Sequence, residues 1–413
     1  LGAGEQSFPA ITVEPSQIGT LMSSLGVRTW DNNYGADPSL RPESTLVPIK
    51  ENIQETIGSG LVNSFKSKLL GLFSNNDKNI IPFFVFGYSG QGGRYLRELD
   101  KRHDDAKDER AGGRRSNGGY YKTGIDDIRR AKAYADSLGK TFSVLAWCWM
   151  QGEAEGAYMV NRWDGALDSE TFLEVNKADY LNLIEDYVTD ILAITGQKVK
   201  PLFLCYKTSG WVSGRTQFEL MLENKLIMVA PLYILPMAQN AAYMSGGTQI
   251  YGDPIHLAND GERWLGEQFS KVLRRITMDA EDWKPFYPVD SYRSADNTEI
   301  YVRFNVPRPP LVFDSNFVVK AQDFGFYIKQ NNQNKVISSV SVFSADTIKI
   351  TMSAPLTADD ALLNYGHWQS QNTVSVPISD IKAGALTGTG FATTDFVFAG
   401  DIRKEFVIAQ KDG

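Results

Sequence analysis

Four continuous apolar runs constrain the fold of this chain more than any other feature. They are rich in β-branched and aromatic residues and span residues 79–87, 141–149, 198–206 and 232–237. None shows the apolar–polar alternation of a strand with one solvated face, so each predicts a strand that is covered on both faces. Strands of this kind are typical of the parallel sheet in an α/β protein.

Amphipathic helical patterns separate and flank these runs. They cover residues 49–73, 124–139, 177–196 and 260–275. The second and third end in Gly139 and Gly196, and glycine often terminates a helix. Strands that alternate with helices at this spacing predict a doubly wound, mostly parallel sheet.

The pattern changes after Asp282. Short alternating segments such as "EIYVRFNV" and "VISSVSVFS" follow one another between turn residues, and helical periodicity is scarce. This pattern predicts an all-β, sandwich-like module. A chain of 413 residues is too long for one ordinary domain. We therefore expect a domain at 1–282 and an accessory β domain at 283–413.

Composition and charge exclude several classes of protein. The net charge of -7 gives no basic surface for nucleic acid, and no run reaches the roughly 18 apolar residues that span a bilayer. The first residues lack both Met and the pattern of a signal peptide, so we expect a processed or truncated start. Cys148 and Cys205 lie inside apolar runs and lack ligand spacing. No metal or cofactor is predicted.

Three motifs that can carry chemistry follow the predicted strands. They are Gly92-Gly93 in "FGYSGQGGRYLREL", Gln151-Gly152-Glu153 in "WMQGEAEG", and Asp253 with His256 in "YGDPIHLAND". The carboxyl ends of parallel strands meet at one edge of a sheet, which is where ligands bind. We therefore expect the three motifs to lie close together.

Each motif has a chemical and a purely structural interpretation. Asp253 can orient the His256 imidazole for proton transfer, or the pair can simply satisfy a loop. Gln151 can donate to an oxyanion while Glu153 braces the loop by accepting backbone N–H groups, or the motif is a solvated turn. The glycine loop offers N–H donors and also fits a phosphate site. His103 and His367 have ordinary surface or packing contexts.

Taken together, the motifs resemble the SGNH/GDSL-type hydrolases, particularly the sialate O-acetylesterase-like branch related to carbohydrate esterase family 6. The resemblance covers residues 1–276 and implies a flavodoxin-like α/β fold without a cofactor. It also implies that His256 is the general base, that Asp253 orients it, and that Gln151 with a backbone N–H of Gly92 or Gly93 forms the oxyanion hole. The implied reaction removes O-acetyl groups from a glycan through an acyl-enzyme.

The nucleophile departs from the family pattern. The family serine lies in a G-Q-S segment at the tip of the first strand, whereas no strand pattern precedes "LGAGEQSFPAIT". One interpretation makes Ser7 the nucleophile. The other places the strand and its serine just upstream of Leu1, and we favour it because a doubly wound sheet needs its central strand. Ser89 lacks the spacing of a nucleophile elbow.

Tryptophans and the β module bear on the substrate and the biological setting. Trp163 and Trp211 lie in polar contexts and are candidates for stacking on sugar rings, whereas Trp147 and Trp149 are expected to be partly core. The alternative function is carbohydrate binding or adhesion by a catalytically incomplete hydrolase domain. The β module and the internal start resemble phage tail-spike deacetylases, which implies a virion-surface location and a trimer. A secreted bacterial esterase is the other possibility.

Overall fold

The chain is a mixed α/β protein with parallel strands and separate antiparallel sheets. The computed structural model describes residues 19–23, 46–51, 55–72, 84–87, 94–103, 120–155, 169–208, 213–231, 242–245, 248–251, 257–313, 322–331, 333–357, 361–365, 406–407 and 409–410. The helices are α1 (Ile57–Leu72), α2 (Tyr120–Ser137), α3 (Ser169–Thr195), α4 (Ser213–Leu222) and α5 (Asn259–Thr277). The strands up to α5 are β1 (Thr20–Ser23), β2 (Leu46–Pro48), β3 (Phe84–Phe86), β4 (Ala146–Trp149), β5 (Leu202–Lys207), β6 (Ile227–Pro231), β7 (Ala242–Ser245) and β8 (Thr248–Tyr251).

A parallel three-stranded sheet, in the order β4-β5-β6, lies at the centre of the α/β part. Leu204 and Tyr206 of β5 belong to a core cluster shared with α1 and α5. Phe203 and Cys205 belong to a second cluster shared with α2, α3 and α4. Side chains alternate across a strand, so helices cover both faces of this sheet.

A second small sheet has the order β2-β1-β3, with β1 parallel to β3 and antiparallel to β2. Among the described strands, no ladder joins β3 to β4. Apolar side chains of both strands nevertheless pack against the same cluster as α1 and α5. The ring of Phe84 in β3, for example, meets Phe65 of α1 edge-on at 5.5 Å between centroids.

Two glycines allow α1 and α5 to pack closely. A Cβ on Gly60 would lie 2.1 Å from the Arg263 carbonyl oxygen, and a Cβ on Gly266 would lie 2.2 Å from the Ile57 carbonyl oxygen. The obstructing atoms are backbone atoms, which cannot rotate away. Any larger residue at either position must therefore push the two helices apart.

The start of α1 is held by a buried carboxylate, Glu51. Its Oε1 accepts hydrogen bonds from Thr56 Oγ1 (3.0 Å), Ser59 Oγ (2.7 Å) and Ser59 N (3.3 Å). Burial, helped by the nearby charge of Glu55, raises the pKa of Glu51 from 4.5 to about 7. The folded protein therefore holds this proton more tightly than the unfolded chain does.

The Glu51→Gln variant is expected to become more stable than the wild type as the pH rises from 4.5 to about 7. In that range the unfolded wild-type chain releases the Glu51 proton while the folded state retains it, so the free energy of unfolding of the wild type falls. Above that range the difference in unfolding free energy between the two proteins is constant. The plateau should be about 2–3 kcal/mol. Urea unfolding of both proteins across this pH range measures the difference, and a difference independent of pH would contradict the assignment.

After α5, the described residues form strands and a short 3-10 turn, with no α-helix among them. These strands are β9 (Tyr287–Arg293), β10 (Glu299–Asn305), β11 (Phe326–Gln330), β12 (Gln333–Lys335), β13 (Ile337–Val342), β14 (Thr347–Met352), β15 (Leu362–Tyr365), β16 (Phe406–Val407) and β17 (Ala409–Gln410). They form two sheets, β13-β14-β10-β9-β17 and β12-β11-β15-β16. Both sheets contribute to one apolar core, which is the arrangement of a sandwich.

Several element boundaries differ from the sequence predictions. Helix α1 begins at Ile57 rather than near residue 49, because residues 46–48 form β2 and the Thr56 hydroxyl accepts the Gly58 N–H. Helix α3 begins at Ser169, about two turns before the predicted start. The prediction missed α4 and the strands β1, β2, β6, β7 and β8. The strand predicted at 232–237 lies outside the described residues.

Candidate functional site

The Gln151-Gly152-Glu153 loop leaves the carboxyl end of β4, at the edge of the sheet where ligands bind in parallel α/β folds. Gln151 and Gly152 are buried, and residues 153–155 form one helical turn. Gly152 has a φ of +155° and is closely surrounded: a Cβ there would lie 2.7 Å from Thr208 Cγ2. Both its backbone angle and its surroundings therefore require glycine.

Two helices anchor the carbonyl groups of this loop. The Gln151 oxygen accepts hydrogen bonds from Tyr180 Oη of α3 (3.2 Å) and Gln217 Nε2 of α4 (2.8 Å). The Gly152 oxygen accepts one from Ser213 Oγ, at the start of α4 (2.5 Å). None of these three side chains belongs to a motif found in the sequence. The sequence carries only a weak signal for these anchors: Tyr180 has a hydroxyl group on the otherwise apolar face of α3.

Glu153 braces the loop against the end of β5. Its two carboxylate oxygens accept the Tyr206 hydroxyl at 2.6 and 2.7 Å, and Oε1 also accepts the Thr208 hydroxyl at 2.8 Å. The sequence interpretation expected backbone N–H donors, whereas these donors are side-chain hydroxyls. Burial and the neighbouring Glu153 charge raise the pKa of Tyr206, so this phenol remains a proton donor.

The Gln151 side chain connects this loop to the segment that follows the glycine motif. Its Nε2 donates to the Arg94 carbonyl oxygen (3.2 Å) and to Glu155 Oε1 (2.8 Å). The Leu96 N–H donates to the same Glu155 oxygen. The residues that directly follow the glycine motif therefore contact the loop after β4. Both amide hydrogens of Gln151 have acceptors in this arrangement, so an oxyanion contact from Gln151 requires one of them to be released.

Ion pairs fix the same segment to α3. Arg97 Nε lies 2.6 Å from Asp179 Oδ2, and Lys101 Nζ lies 2.9 Å from Asp190 Oδ1. Asp179 is largely buried, so its pair with Arg97 is less screened by solvent than a surface pair. The chain after the glycine motif thus has a fixed position relative to the loop after β4.

The other predicted site residues lie outside the described residues. They are Ser7, Gly92, Gly93, Trp163, Trp211, Asp253 and His256, together with Ser89 and His367, which the sequence interpretation set aside. Their roles stay predictions. The residue after His256, Leu257, is buried in the same core cluster as Met150, which precedes Gln151.

Trp149 and Cys205 are buried core residues, and Trp147 and Cys148 are partly buried and pack against the core. Trp149 is buried, and the Trp147 ring lies 3.9 Å from that of Tyr187 between centroids. Burial raises the thiol pKa of Cys205 and raises that of Cys148 to about 12, so neither is an activated thiolate.

Within the described ranges, no three His, Cys, Asp or Glu side chains gather into a group able to hold a metal ion. Of the helices that the structure describes, none combines the length and the apolar character needed to cross a bilayer.

Comparison with solved structures finds a similar fold in a carbohydrate acetylesterase. No protein-family model and no curated protein sequence matches the chain. A carbohydrate acetylesterase from Xanthomonas citri superposes with a TM-score of 0.51 at 13% identity, over 85% of this chain and 68% of that one. NanS superposes with a TM-score of 0.41 at 13% identity, over 68% of this chain and 94% of that one. At such identity the first likeness shows that the two proteins share a fold, and nothing more.

Proposed function

We propose that this chain is a carbohydrate O-acetylesterase that uses a serine nucleophile. The observation that carries the proposal is the contact between two predicted motif loops: Gln151 and Glu155 bind the backbone directly after Gly92-Gly93. This contact lies beyond the carboxyl end of β4 in a fold that is similar to that of a carbohydrate acetylesterase. Loops at this edge are where an α/β enzyme assembles its active site.

The proposed reaction proceeds in two steps. The serine oxygen attacks the acetyl carbonyl while His256 takes the hydroxyl proton, and backbone N–H groups at Gly92 or Gly93 stabilise the oxyanion. Protonated His256 then gives its proton to the departing sugar oxygen, which leaves an acetyl-enzyme. Water, activated by the same imidazole, releases acetate and restores the serine. Asp253 orients the imidazole and stabilises its charged form.

The serine belongs on a strand between β3 and β4 in this proposal. Among the described strands, β3 pairs only with β1, and β4 pairs only with β5. Both pack on the same cluster as α1 and α5, so one parallel strand between them would complete a continuous sheet. The two candidates for the nucleophile are Ser7 and a serine upstream of Leu1, of which we favour the second.

Acetate release from O-acetylated polysaccharides tests the proposed function. The chain and a version extended by the residues encoded upstream are assayed on the same acetylated glycans, with chemically deacetylated glycan as the blank. Acetate release by the extended version alone supports an upstream serine, and release by both supports Ser7. Glycan binding without acetate release by either version would instead support the alternative, a carbohydrate-binding protein with an incomplete hydrolase domain.

The setting and the substrate contacts are further parts of the proposal. We propose that the enzyme acts outside a cell, on a phage tail spike or as a secreted bacterial esterase, and that residues 283–413 form a separate accessory domain. A trimer in light scattering would support the tail-spike form. If Trp163 and Trp211 stack on sugar rings, Trp211→Ala should raise KM for the glycan but not for p-nitrophenyl acetate.

A further inference from the structure

Glu155 is a buried carboxylate that lies just beyond the Gln151-Gly152-Glu153 motif. It lies in the helical segment at residues 153–155 and is 2% exposed. Its own N–H donates to the Gly152 carbonyl oxygen at 3.2 Å, which fixes the side chain close to the loop. Such a position is costly for a carboxylate unless donors surround it.

Two donors reach the same oxygen of Glu155 from different parts of the chain. Gln151 Nε2 lies 2.8 Å from Oε1, and the Leu96 N–H donates to it across a separation of 59 residues in sequence. Gln151 also binds the Arg94 oxygen, so the backbone on both sides of Tyr95 is held. These contacts begin one residue after Gly93.

We propose that Glu155 is a positioning residue that holds the exit of the glycine loop against the loop after β4. This inference rests on the proposed function, because it assigns the glycine loop's N–H groups to the oxyanion. An N–H donor stabilises an oxyanion only when it is already in place as the charge develops. Glu155 therefore acts on the reaction through the backbone at Arg94–Leu96 and does not touch the substrate.

The charge state of Glu155 agrees with this role. Burial raises its pKa to about 7, while the Leu96 N–H and the Gln151 amide favour the ionised form. Asp179 raises the pKa further and Arg97 lowers it. The experiments below are therefore run above neutral pH, where the carboxylate is mostly ionised.

Hydrogen exchange and kinetics of the full chain test the proposal together. In Glu155→Ala the Leu96 amide should exchange at least about 10-fold faster than in the wild type, while amides of β5 remain protected. The kcat for acetate release should fall about 10-fold or more with KM within about 2-fold. Glu155→Gln keeps an acceptor oxygen, so it should retain part of the protection of the Leu96 amide and part of the wild-type kcat.

The control is Glu51→Gln, which neutralises another buried carboxylate whose pKa is also raised to about 7. It should leave the Leu96 amide and kcat unchanged, which separates positioning by Glu155 from the general effect of neutralising a buried carboxylate. Unchanged Leu96 exchange in both Glu155 variants would overturn the proposal, as would faster exchange with an unchanged kcat. If neither the wild-type chain nor its version extended upstream releases acetate, the proposed function fails; protection of Leu96 by Glu155 would then show a structural clamp only and overturn the catalytic part.

Discussion

Replacing His256 with alanine is expected to lower kcat/KM for acetate release by about 10³-fold or more. Without the imidazole, nothing takes the serine proton as the oxygen attacks, and nothing protonates the departing sugar oxygen. Both steps of the proposed mechanism are slowed, whereas glycan binding is not. Initial rates of acetate release across a range of glycan concentrations measure the effect.

The chain provides matched controls for this substitution. His103 and His367 are its other histidines, and alanine at either position should leave the kinetics within about 2-fold of the wild type. Asp253→Asn should reduce kcat substantially, because the imidazole loses the carboxylate that orients it. Undiminished acetate release by the His256 variant would exclude the proposed mechanism.

Replacing Gly152 with alanine is expected to lower the free energy of unfolding by about 3–5 kcal/mol. Part of the cost is the backbone angle, a φ of +155° that other residues rarely adopt. The other part is crowding, because the new Cβ would lie 2.7 Å from Thr208 Cγ2 and 3.1 Å from both Gln217 Nε2 and Ser213 Oγ. Urea unfolding measures the loss.

Gly139 supplies the matched control for the crowding component. It also has a positive φ, +62°, but nothing lies within 4 Å of an added Cβ. Gly139→Ala should therefore cost only about 1–2 kcal/mol, from backbone strain alone. If Gly152→Ala costs no more than Gly139→Ala, the close packing of the loop against α4 and β5 does not contribute to stability as inferred.

The two predictions address different levels of the same site. The His256 variant tests chemistry that rests on residues outside the described part of the chain. The Gly152 variant tests a packed loop whose close contacts with Thr208, Gln217 and Ser213 are described. Loss of acetate release in both, with loss of stability only in the second, would separate catalytic chemistry from the scaffold that presents it.

Much of the α/β architecture follows from the sequence alone. Continuous apolar runs predicted strands covered on both faces, and β4 and β5 lie within two of those runs in a parallel sheet. Gly139 and Gly196 were predicted to terminate helices, and both follow their helices closely with φ values of +62° and +70°. These features are readable because periodicity and turn residues report the local backbone and its burial.

The contacts that shape the candidate site were decided by tertiary structure. No pattern in the sequence indicates that Glu155 accepts the Leu96 N–H, that Tyr206 donates to Glu153, or that Gln217 holds the Gln151 oxygen. Each partner lies more than 50 residues away along the chain. Periodicity shows which face of an element is buried, but not which side chain of another element meets it there. The sequence therefore determined β3, β4 and β5, the glycines that end α2 and α3, and the motif loops. The packing of α3, α4 and β5 around the β4 loop determined how Gln151, Glu153 and Glu155 are held.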